Sequence, residues 1–156
     1  MRIVIAAVGR LRTGPEIELV RDYITRANAA GKQLALTPIE LVEVEGKPPG
    51  DMRREAAALL AATPEKSKTI LLDERGENWS SRQIAEAFAK WRDDGVNCVT
   101  FWIGGADGSA QGLKDQADVK IAFGRQTWPH KLVRAMLCEQ VYRAIMILGS
   151  TPYHRD

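Results

Sequence analysis

The chain reads as an α/β domain with a mostly parallel sheet flanked by helices, and two observations carry that expectation. Short, nearly continuous apolar runs alternate with longer segments of helical periodicity from one end of the chain to the other. Runs such as 2–8 and 69–72 are continuous and fit strands buried on both sides, while 34–44 alternates imperfectly. The 156 residues, 45% hydrophobic and 27% charged, suffice for one proper core. No internal repeat, low-complexity tract or linker divides them, so residues 1–156 are taken as a single domain.

The first strand is residues 2–8 (RIVIAAV), ended by Gly9. Thr13, Gly14, Pro15 and Glu16 then have the form of a capping box with proline in the first turn. Ile17, Val20, Tyr23, Ile24 and Ala27 keep helical spacing, and Gly31 is placed to close that helix. The second strand, 34–44, contains Pro38, which cannot donate to a ladder and pushes the strand towards an edge. After the loop at 47–50, Asp51 caps an alanine-rich helix over 52–62 that stops before Pro64. Residues 69–72 (TILL) form a third buried strand ending at Asp73. Ser80 and Gln83 make a second capping box for a helix over 81–94, closed by Gly95. The fourth strand, 96–103, runs straight into Gly104-Gly105-Ala106-Asp107-Gly108. A short helix at 111–117 leads to a fifth strand at 119–123. A helix from 129 to 148 then ends at Gly149, leaving 150–156 as a polar tail.

In parallel α/β sheets, ligands bind beyond the carboxyl ends of the strands. Three of those ends carry unusual residues: 72–76, 103–108 and 123–128. Glycines at the second and third let a ligand approach the backbone closely. The stretch 120–156 holds both histidines, and six Lys and Arg against two acids, while the remainder has 16 basic and 18 acidic groups. Several chemistries are disfavoured. The chain has no GxxxxGK[ST], and its first strand–helix turn lacks GxGxxG. No serine sits in GxSxG, and two histidines cannot furnish a His-rich metal site. Cys98 and Cys138 lie in apolar segments without CxxC spacing and read as small buried hydrophobes. An enzyme built this way borrows its chemistry from a bound reagent or works with very few protein groups.

The last helix is apolar around most of its circumference between Leu132 and Leu148, where a surface helix would show one stripe. One face packs on the sheet and the rest needs another cover, which points to a homodimer through this helix. Glu139 is spaced to pair with Arg143 at i,i+4. Arg134 and Arg143 are expected to face RNA or to cross the dimer seam, and His130 to order the loop before it.

The whole chain resembles the RlmH family of ribosomal RNA methyltransferases, which belongs to the knotted, S-adenosylmethionine-dependent SPOUT class. The resemblance rests on Val8-Gly9, Ile103-Gly104-Gly105, Thr127-Trp128-Pro129-His130, Leu132-Val133-Arg134, Glu139 to Ala144 (EQVYRA) and Pro152-Tyr153-His154-Arg155. It implies a C-terminal trefoil knot, S-adenosylmethionine as cofactor, and methylation of N3 of a pseudouridine in large-subunit rRNA. Carried over by position, the family's cofactor contacts fall on Leu72, Gly104, Phe123, Gly124, Arg125, Gln126, Thr127 and Trp128. Two departures stand out. Asp107-Gly108-Ser109-Ala110 follows the Gly-Gly turn where the family commonly has Gly-Leu, and Gly124-Arg125-Gln126 replaces a common Ser-Lys-Met. Backbone contacts carry over such changes; side-chain contacts from 124–126 do not.

An imidazole titrates near neutrality, so His154 is the candidate base for the imide N3–H. Tyr153 is suited to stack on or hydrogen-bond the target base and Arg155 to bind phosphate or offset developing charge. The absence of an appended RNA-binding domain favours the assembled ribosome as partner. A non-catalytic ribosome-binding protein and a SPOUT enzyme acting on tRNA are the alternatives. No apolar run approaches the roughly 18 residues that span a bilayer, and the first residues lack a signal-peptide layout. The expectation is therefore a cytoplasmic protein with no membrane and no metal.

Overall fold

A computed structural model describes residues 1–154. Five strands, β1 (Arg2–Val8), β2 (Ile39–Val44), β3 (Lys68–Glu77), β4 (Cys98–Ile103) and β5 (Val119–Ile121), form one sheet in the order β2-β1-β4-β3-β5. Every pairing in it is parallel. Five helices connect them: α1 (Pro15–Gly31), α2 (Met52–Ala61), α3 (Ser81–Asp93), α4 (Gln111–Gln116) and α5 (His130–Leu148). On β1, Ile3, Ile5 and Ala7 point to the face that carries α1, α3 and α5. Ala6 and Val8 point to the opposite face, against α2 and α4. Both faces of the central strands are covered, which is why their sequences read as unbroken apolar runs.

Most of the element-level reading matches this architecture, and the differences have physical reasons. Asp51 accepts from the backbone N–H groups of Arg53 and Arg54, and the Ser80–Gln83 capping box is complete. The Thr13 box is not formed: Gly14 is the N-cap of α1, makes no side-chain bond, and has Pro15 next to it. Gly31 does not terminate α1 by a left-handed turn. A β-carbon there would lie 2.6 Å from the Leu36 carbonyl oxygen, so its smallness serves close approach, and Ala35 takes the left-handed conformation. The second strand is an edge, as Pro38 required, but begins only after that proline.

β3 runs five residues past its predicted end, with an irregularity in pairing between Leu72 and Glu77. Gly76 permits this, since a β-carbon on it would meet the backbone of Ile121 at 2.6 Å. The Ala122 N–H donates to the Glu77 carbonyl, holding the end of β5 inside that extension.

The all-round apolarity of α5 is largely satisfied within the chain. The helix lies between α1 and α3 over the sheet, burying Ala135, Leu137, Cys138, Val141, Tyr142, Ala144 and Ile145. Leu132, Val133, Met136, Met146, Ile147 and Leu148 stay half-buried. Among the described residues no helix is long and apolar enough to cross a membrane. No group of three or more His, Cys, Asp and Glu side chains there is arranged to hold a metal ion.

Candidate active site

The carboxyl ends of β3, β4 and β5 converge on a cleft of about 370 Å³. Leu72, Ile103, Ile121 and Val133 supply apolar wall, while Gly104 and Gly105 form one side and the loop 122–128 the other. The Gly-Gly turn is tight for a specific reason. A β-carbon on Gly104 would stand 2.5 Å from Ser109 Oγ and 2.9 Å from the Gly108 carbonyl oxygen. One on Gly105 would stand 2.7 Å from Oε2 of Glu55, a buried carboxylate on α2. The loop opposite is tied at both ends. Gly124, at φ +89°, donates its N–H to Asn78 Oδ1 at 2.9 Å, and the Trp128 indole N–H donates to the Phe123 carbonyl at 2.9 Å. Trp128 itself remains 40% exposed at the mouth.

Of the eight residues expected to contact a cofactor, Leu72, Gly104, Phe123, Gly124, Gln126, Thr127 and Trp128 line this cleft. Arg125 does not; its side chain is exposed outside it. Three groups join the site beyond those expected. Asp73 accepts from Lys114 Nζ at 2.6 Å and from the Arg75 backbone N–H at 2.9 Å. Burial pushes the Asp73 carboxyl up, but the Lys114 ammonium and the Arg75 N–H outweigh it and hold the group below its ordinary value. His130 also lines the cleft from the first turn of α5. Burial, followed by the positive charges of Arg134 and Lys131, lowers its titration, favouring the neutral imidazole.

The tail is elsewhere. Tyr153 donates its hydroxyl to Glu139 at 3.1 Å, packs edge-on against Tyr142 at 4.7 Å, and lies under the Arg143 guanidinium at 4.8 Å. His154 Nδ1 is 3.4 Å from the same guanidinium. Burial, then hydrogen bonds to Tyr23 and Glu139, raise the Tyr153 phenol. Neither Tyr153 nor His154 lines the cleft, and Arg155 lies outside the described residues. Val133 at the cleft and Arg143 under the tail are ten residues apart on one helix, or about 15 Å. The Glu139–Arg143 pair expected from spacing is present at 2.5 Å.

Arg134 corrects the reading that it faces RNA or a dimer seam. It is fully buried, donating to Glu43 at 2.7 Å and to the Val8 carbonyl at 2.9 Å. Those two bonds seat the guanidinium on the ends of β1 and β2.

A family model described as a predicted SPOUT methyltransferase matches residues 1–154. The chain belongs to the SPOUT methyltransferase family. Within it, the chain is 54% identical over 156 residues to the ribosomal RNA large subunit methyltransferase H of Paracoccus denitrificans, covering all of both chains. It is 53% identical, again end to end, to the protein of the same name from Phenylobacterium zucineum. A crystal structure of a probable methyltransferase from Bordetella pertussis superposes with a TM-score of 0.52 at 13% identity, covering 92% of this chain and 96% of that one. That last likeness concerns the fold alone.

Proposed function

We propose that this SPOUT methyltransferase uses S-adenosylmethionine to methylate N3 of a pseudouridine in large-subunit rRNA, acting on the ribosome in the cytoplasm. The carrying observation is the cleft at three strand ends, in a chain that matches large-subunit rRNA methyltransferases over its full length. The residues present fit the cofactor. Gly104 brings backbone to the cleft wall for an adenine edge, while Leu72, Ile103, Ile121 and Phe123 supply apolar surface for a ring. Thr127 and Trp128 close the third side. Leu72, Gly104 and 123–128 would hold it, with Arg125 contributing backbone only. When bound, it supplies a methyl group already activated on a sulfonium, so the protein's task is alignment and removal of one proton.

In this reading His154 takes the N3 proton, Tyr153 packs against the target base, and Arg155 offsets the negative charge that develops on the imide. Tyr153 and His154 sit beside Arg143, about 15 Å along α5 from the cleft of their own chain. The tail of one copy therefore serves the cleft of a second, in a homodimer built on the half-buried apolar residues of α5. We also propose that the C-terminal half is knotted. The support is the extension of β3 wrapped against Ile121 and Ala122 before the chain returns over the sheet as α5.

The test is methyl transfer from labelled cofactor to ribosomes purified from cells lacking the gene. Wild type should label large-subunit rRNA, whereas His154→Ala should lose the rate while calorimetry shows unchanged cofactor affinity. Full activity in His154→Ala would remove His154 as the base.

A further inference from the structure

We infer that the rim beside the cleft at the ends of β1 and β2 binds phosphates of the RNA flanking the target nucleotide, which rests on the reading that the substrate is RNA. The charge anomaly in the sequence pointed to the C-terminal stretch, yet Arg134 is buried and Arg143 is committed to Glu139. The accessible positive charge adjoining the cleft comes mostly from another part of the chain.

Three contacts gather it in one place. The Gly9 N–H donates to the Val44 carbonyl at 2.8 Å, so Arg10 and Arg12 emerge beside Lys47. Arg134 reaches the Val8 carbonyl, which lays the first turn of α5, with Lys131, over the end of β1. On the other flank, Gly50 abuts Asp107 and Glu55 underlies Gly105, bringing the start of α2, with Arg53 and Arg54, against the Gly-Gly turn.

Arg10 and Arg54 are held by Glu45 and Asp51 in exposed pairs at 3.3 and 3.4 Å. Arg12, Lys47, Arg53 and Lys131 are exposed and have no ion-pair partner among the described residues. Glu16 and Asp107 share this rim with the paired Glu45 and Asp51. Four free cations in a chain of net charge +2 are a marked concentration. They flank a concave site that must receive one base while its neighbours lie outside. Long cationic side chains gathered along a rim suit the repeating charge of a nucleic-acid backbone, since such contacts fix position without reading sequence.

The experiment compares wild type with the triple variant Arg12→Gln, Lys47→Gln, Arg53→Gln on unmethylated ribosomes. Binding and methylation are both measured across a salt series. Lys32→Gln with Lys66→Gln, before the amino ends of β2 and β3 and so at the far end of the strands, is the control. Each lost phosphate contact lowers the log–log salt slope by about 0.7–0.9, so the triple variant should lose about 2–3 from its slope and bind roughly tenfold or more weakly. Cofactor affinity, and kcat at saturating ribosomes, should be unchanged. A triple variant with wild-type affinity and slope, in a preparation that methylates ribosomes, overturns the surface. So does weaker binding at an unchanged salt slope, which would mean contact with ribosomal protein. Wild type that binds with the expected slope loss in the variant but never methylates would instead overturn the enzymatic reading and leave the surface standing.

Discussion

Truncating Arg134 to alanine tests how the cleft is fastened to the sheet. The guanidinium has 0% exposure and ties the first turns of α5 to Glu43 on β2 and the Val8 carbonyl on β1, while its Nε has no partner among the described residues. Burial lowers its titration from the ordinary value, and the Glu43 carboxylate opposes that shift. In Arg134→Ala the Glu43 carboxylate keeps only the Leu11 N–H, at 2.8 Å, and the Val8 carbonyl loses its donor. Removing one partner of a buried ion pair costs about 3–5 kcal/mol. The Glu43 side chain is 26% exposed, so water partly solvates the stranded charge, and the lower end, about 3 kcal/mol, is expected. In a chain of this size that lowers Tm by roughly 6–12 °C. Urea unfolding followed by circular dichroism measures the loss directly. Arg134→Met combined with Glu43→Leu should recover more than half of it, because packed apolar groups replace a buried pair at little net cost. A single variant within about 1 kcal/mol of wild type, or a double variant no better than the single, would refute this account of the pair.

Four further outcomes follow from the geometry. Gly104→Ala puts a β-carbon 2.9 Å from the Gly108 carbonyl oxygen, so the turn must open; calorimetry should show cofactor affinity lowered tenfold or more, about 1.4 kcal/mol, with the fold intact. Mixing a Gly104→Ala chain with a His154→Ala chain should restore part of the methylation that each lacks alone, and no recovery would argue against a shared site. Burial pushes the Cys138 thiol up to about 12, so a thiol reagent at pH 8 should leave it unmodified until denaturant is added. Lys114→Ala should cost stability at neutral pH. Asp73 is held below its ordinary value of 3.8 in the fold, so its contribution is present above that value and fades as pH falls through the lowered one. The gap between wild type and variant should therefore close on acidification, and a gap constant down to acid unfolding would contradict the assignment.

The legible parts of the sequence were those governed by local rules. Asp51, Ser80 and Gln83 cap helices because their side chains satisfy backbone groups a few residues away. The three strand ends with unusual residues also converge, as parallel strands in one sheet must. Long-range pairing was not legible in the same way. Nothing local marks Lys114 as the partner of Asp73, which comes from an element 41 residues earlier. Arg134 carried a signal that was open to reading: an arginine flanked by Val133 and Ala135 on an all-round apolar helix. Glu55 carried another, standing at the apolar spacing of Leu59 within an alanine-rich helix. Tyr153 and His154 are the clearest case. Their residue types suggested chemistry, but only the fold shows them held by Glu139 and Arg143, away from the cleft of their own chain.

The most direct test is mass-spectrometric mapping of large-subunit rRNA from cells with and without this gene. The account predicts one pseudouridine that carries a methyl group at N3 only when the gene is present, restored by the wild-type chain and not by Gly104→Ala. Identical modification profiles in the two strains would contradict it.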